Sequence, residues 1–165
     1  MSDSTPRLRR RLRRFTAGCA LALVAASAAF ADDVSFVRVW PGWKSGDLFM
    51  RISEYFGSPE DSGGRIILRT HPGERTGCYF VARVRNKGSA EAGATFVLRL
   101  IAPDSPDPKT FSFAADVPPG EPIYEIGLTG PDWPGRKVHP VAWQLELRSA
   151  DGKTLATSQS FLWSK

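Results

Sequence analysis

The sequence predicts an all-β fold: an immunoglobulin-like antiparallel β-sandwich of about seven to eight strands, with one short N-terminal α-helix. Three observations carry that expectation. Apolar and polar residues alternate with a period of two through most of the chain after residue 33, as half-buried strands require. Proline- and glycine-rich turns separate these runs at short, regular intervals. Residues 1–31 read as a secretory signal peptide, which leaves 32–165 as a single domain.

The leader has three parts. Arginines stand at 7, 9, 10, 11, 13 and 14, an apolar stretch runs from Phe15 to Phe30, and Ala29-Phe30-Ala31 offers a small-x-small cleavage site. Cleavage is expected after Ala31, with export to the periplasm or beyond. The whole chain carries 22 Lys+Arg against 17 Asp+Glu and a pI near 9.6. Six of those bases and one of those acids, Asp3, lie in 1–31, so 32–165 carries 16 of each and no formal net charge. A phosphate-backbone binder displays clustered positive charge, so nucleic acid is not an expected partner. Cys19 is in the leader and Cys78 stands alone after it, which rules out an intramolecular disulfide in the mature chain. No later apolar run approaches the roughly 20 residues that span a bilayer, so membrane contact is expected only through an uncleaved leader.

The strands follow in order. Val34 to Trp40 opens the pattern, and Arg65 to Thr70 is a second apolar run. Between them, apolar residues at 48, 49, 52, 55 and 56 recur at helical spacing. Ser45 is a plausible N-cap and Gly57 a left-handed stop, so the helix is expected over about 46–56; the aromatic content leaves a strand as the alternative. Cys78, Phe80, Ala82 and Val84 form the inward set of the clearest strand. Phe96, Leu98 and Leu100 follow, then Phe111, Phe113 and Ala115, then Tyr124, Ile126 and Leu128, then Val141, Trp143, Leu145 and Leu147. Asp151-Gly152 is a strong hairpin signal, leading to a last strand expected to end at Trp163.

Val81 to Arg85 followed by Asn86-Lys-Gly88, then Thr95 to Leu100, then Val117-Pro-Pro-Gly120, resembles the bacterial CARDB-type immunoglobulin-like accessory domains. The resemblance covers about residues 76–129. It implies an extracytoplasmic accessory or adhesion-type module without enzymatic residues. Its partner is expected to be an unidentified protein or polysaccharide, and no cofactor is implied.

The chemistry-bearing residues are few. Cys78 is in phase with Phe80 and Val84, so a core role outweighs a nucleophile paired with His71 or His139. Those two lone histidines have no metal-ligand spacing, so no metal is expected. Asp104, Asp107, Glu60 and Asp61 read as turn carboxylates. Arg83, Arg85 and Arg99 are expected on the faces opposite the core sets of two consecutive strands, as an anion-binding stripe or a solvated face paired with acids such as Glu125 or Glu146. Trp-Pro-Gly occurs twice, at Trp40-Pro41-Gly42-Trp43-Lys44 and at Trp133-Pro134-Gly135-Arg136-Lys137. Proline then glycine fits a type II turn. The pair is expected to form aromatic-tipped loops at one end of the sandwich. They either stack on a partner or sugar face, with Lys44, Arg136 or Lys137 close by, or cover the core. An exported, non-enzymatic interaction module is the leading expectation, and carbohydrate binding through Trp40, Trp43 and Trp133 the alternative. A hydrolase or thiol enzyme is the remote third.

Overall fold

The structure is a computed structural model that describes residues 33–50, 54, 56–57, 60 and 62–164. They form two four-stranded sheets packed face to face. The first holds β1 (Val34–Lys44), β2 (Ile66–Arg69), β3 (Gly77–Asn86) and β6 (Ile123–Thr129), in the order β1-β3-β6-β2. The second holds β4 (Glu91–Ile101), β5 (Lys109–Val117), β7 (Ala142–Arg148) and β8 (Thr154–Gln159), in the order β5-β4-β7-β8. Every pairing is antiparallel except β2 with β6. Setting β2 aside, the first, second and fifth strands share one sheet, and the third, fourth, sixth and seventh share the other. This is the immunoglobulin-type arrangement with its fourth strand moved across. β2 is an addition that closes the far edge of the first sheet.

The period-two pattern dictates the core. Cys78, Phe80, Ala82 and Val84 of β3 face Phe96, Leu98 and Leu100 of β4, and all are buried. Aromatic contacts tie the sheets together. Phe96 meets Tyr124 at 4.6 Å and Phe36 at 6.3 Å, and Phe80 meets the edge of Trp143 at 5.5 Å. Asn86 does the stitching at one end. Its amide nitrogen donates to the carbonyls of Ser89 and Val117, and its backbone pairs with Gly120.

Four expectations are corrected. The helix over 46–56 is not an α-helix in its described residues: a 3-10 turn covers Gly46–Phe49, Glu54 and Phe56 are also in 3-10 conformation, and Ser45 makes no side-chain cap. Its apolar residues have separate tasks. Phe49 is buried, whereas Leu48 and Phe56 are 69% and 84% exposed, so the described apolar residues do not share one buried face that would hold a helix down. Ile52 and Tyr55 lie outside the described residues. The first Trp-Pro-Gly is not a turn: Trp40 to Lys44 continue β1 and pair with Val81 to Gly77. Proline is tolerated there because β1 is an edge strand. The last strand stops at Gln159, and Trp163 sits in a terminal 3-10 turn. Val141 lies just outside β7 and is exposed.

Candidate functional site

The outer face of the first sheet should be a solvated surface by its alternation, yet Tyr79 and Glu125 on it are fully buried. The segment after β1 folds back over this face. Phe49 stacks on Tyr79 with ring centroids 4.8 Å apart, and Arg69 lies 4.8 Å from the centre of the Phe49 ring. Arg69 is itself held by Glu60 through two hydrogen bonds of 2.9 and 2.6 Å, and its Nε donates to the Tyr79 hydroxyl. Glu125 receives Lys44 Nζ at 2.8 Å and Arg65 Nη1 at 2.5 Å. A buried carboxylate survives only with such partners. These residues lock the cover down, and their charges are spent on one another.

An open concavity lies beside Trp43. Trp43, Ser45, Leu48, Arg136 and His139 line a cleft of about 450 Å³. Trp43 and His139 also line a smaller hollow of about 140 Å³, floored by Cys78 and Trp143. β1 positions Trp43 opposite Cys78, and the 3-10 turn that follows projects Leu48. Arg136 and His139 come from the chain between β6 and β7. Cys78 is 3% exposed, and burial pushes its thiol up to about 12, with the Gly42 backbone pulling slightly the other way. A thiol held protonated is a poor nucleophile. His71 is elsewhere, with Nε2 3.0 Å from Asp132. No cluster of His, Cys, Asp or Glu among the described residues is arranged to hold a metal.

The remaining predicted site residues scatter. Trp133 is 5% exposed, and its indole N–H donates to the Val138 carbonyl at 3.3 Å, so it covers the core. Trp40 projects from the opposite face of β1 to Trp43, beneath Arg38. The three indoles therefore do not share a surface. Lys44 is engaged by Glu125, and Lys137 is exposed but does not line the cleft. The arginine stripe is also corrected. Consecutive strands β3 and β4 belong to different sheets, so Arg83 and Arg85 lie on one outer face of the sandwich and Arg99 on the other. Arg85 pairs with Glu121 at 2.8 Å. Arg99 pairs with Glu146, hydrogen-bonds Gln144 and lies 5.8 Å from the Trp163 ring centre. Leu48 and His139 were missing from the expected site. Their own sequence neighbourhoods carry no signal for it, because the cleft is assembled from segments about ninety residues apart.

No protein-family model matches the chain, and no curated protein matches it in sequence. Among the described residues, no helix is long and apolar enough to cross a membrane.

Proposed function

We propose that this chain is an exported, non-enzymatic binding module that engages a protein partner through the cleft at Trp43. The observation that carries the reading is the lining of that cleft. An indole and an exposed leucine stand beside a guanidinium and an imidazole in one open concavity. Binding sites combine apolar walls with a few polar groups in this way. The high position of the Cys78 thiol supports a role without nucleophilic chemistry. The arrangement of β3 to β6, with Asn86 tying two turns together, fits the accessory-domain resemblance over 76–129. The leader supports export. Separation of Trp40, Trp43 and Trp133 argues against a flat sugar platform.

The test places a photo-crosslinking amino acid at Leu48 of the full chain in its native cells, with a control at the exposed Lys153. A discrete protein adduct from position 48, absent at 153 and abolished by Arg136→Glu, is expected. The same adducts from both positions would refute the cleft as the docking region. Sequencing the N-terminus of the same material should begin at Asp32.

A further inference from the structure

The outer face of the first sheet holds a second feature, built from a break in β1. Val34 and Phe36 turn toward the core, and so do Val39 and Trp43. The change of parity comes from a register shift between Phe36 and Arg38, which leaves Val37 without a partner and 40% exposed. A regular strand would have placed Arg38 opposite Ala82, on the core side. The extra residue instead turns Arg38 outward and sets it directly across from Arg83. Bulges re-aim side chains in this way and are enriched beside functional sites.

The resulting pair is electrostatically unfavourable, since like charges directly opposite one another on a sheet repel. Among the described residues, neither Arg38 nor Arg83 has a carboxylate within ion-pair distance. The other strand arginines each do: Arg69 holds Glu60, Arg85 holds Glu121, and Arg99 and Arg148 both hold Glu146. The two strand arginines left uncompensated therefore face each other. Arg38 is further held by Trp40, whose ring centre lies 4.9 Å from its Cζ. Two neighbouring guanidinium groups with unused donors match the several oxygens of a tetrahedral anion.

We propose that Arg38 and Arg83, with Trp40 as the platform beneath Arg38, bind a phosphate-class oxyanion. The site lies on the face opposite the Trp43 side of β1 and does not depend on the reading of the cleft. The anion relieves the repulsion that the bulge creates, and the edge position of β1 leaves room for the larger molecule that bears it. That molecule is either a soluble phosphate compound or a lipid headgroup.

The experiment titrates inorganic phosphate into the purified full chain at constant ionic strength and follows tryptophan emission, with Trp40→Phe assigning the signal. A second arm sediments the chain with phosphatidylcholine vesicles, with and without phosphatidic acid. Saturable binding in either arm is expected, and the arm that binds identifies the source. Arg38→Gln and Arg83→Gln should each weaken it about ten-fold or more, the scale of one lost charge-assisted hydrogen bond. Lys153→Gln removes the same charge at an exposed position elsewhere and should leave affinity unchanged, which separates a local site from an effect of net charge. Urea midpoints of both strand variants, measured without phosphate, should equal or exceed the parent's, so lost binding cannot be lost folding. Absence of saturable binding in both arms, or equal weakening by Lys153→Gln, would overturn the proposal.

Discussion

Tyr79 lies flat across Gly127, so that a methyl group on residue 127 would overlap carbons of its ring. The two residues face each other on β3 and β6, and the missing side chain on one makes room for the other. This close approach sets the floor on which Phe49 packs. Gly127→Ala should therefore lower stability by about 1–3 kcal/mol, the usual cost of overpacking. Gly42→Ala, where an added Cβ has no atom within 4 Å, should stay within about 0.5 kcal/mol of the parent. Urea midpoints with unchanged slopes would check both.

Stability should fall on acidification, and two carboxylates set the direction. The Arg69 hydrogen bonds hold Glu60 below its ordinary value. Burial alone would raise Glu146, but hydrogen bonds from Arg148 and Arg99 outweigh it and hold the carboxyl below its ordinary value too. A group with a depressed folded pKa stabilises above its unfolded value, here about 4.5, and that contribution disappears as pH falls through the folded value. Urea midpoints should hold steady from pH 7 toward 5 and drop below about 4.5. Glu60→Gln and Glu146→Gln should each flatten that drop while lowering the pH 7 midpoint.

The strands were legible because a two-residue period is a local signal, and Phe80, Phe96 and Tyr124 each announce their facing in their own neighbourhood. What sequence could not show is which strands become neighbours. Arg83 and Arg99 looked like one stripe because their strands are consecutive, yet this topology sends β3 and β4 to opposite sheets. Trp40-Pro41-Gly42 carries good turn chemistry, but an edge strand accepts proline equally well, and pairing with β3 decided the outcome. Phe49 looked like part of a helix face because its packing partner, Tyr79, lies thirty residues on.

Cys78 should be chemically silent in the folded chain. Its side chain is 3% exposed, and burial pushes the thiol up to about 12, so thiolate is scarce at neutral pH. In a Cys19→Ser chain, which removes the other cysteine of the sequence, Ellman's reagent at pH 8 should release almost no colour from native protein. One equivalent should appear on unfolding in urea. Rapid native reaction would mean that the hollow beside Trp43 opens, and would return the thiol to consideration as a reactive group.

Asn86 should cost more than its size suggests. It is 3% exposed, donates to Ser89 and Val117 at 2.7 and 3.1 Å, and accepts the Gly88 amide at 2.9 Å. Its backbone exchanges hydrogen bonds of 2.8 and 2.9 Å with Gly120. One side chain thus ties the β3–β4 turn to the end of β5. Asn86→Ala removes all three side-chain bonds and should lower stability by about 1–3 kcal/mol, since the buried Val117 carbonyl loses a donor. Asn86→Asp keeps the acceptor for Gly88, loses both donors and brings a carboxylate against two carbonyls, so at pH 7 it should be the worse of the two. Amide hydrogen exchange separates the contributions: protection at Gly88 should collapse in Asn86→Ala and persist in Asn86→Asp. Equal stability of Asn86→Ala and the parent would show that the turns hold without the bridge.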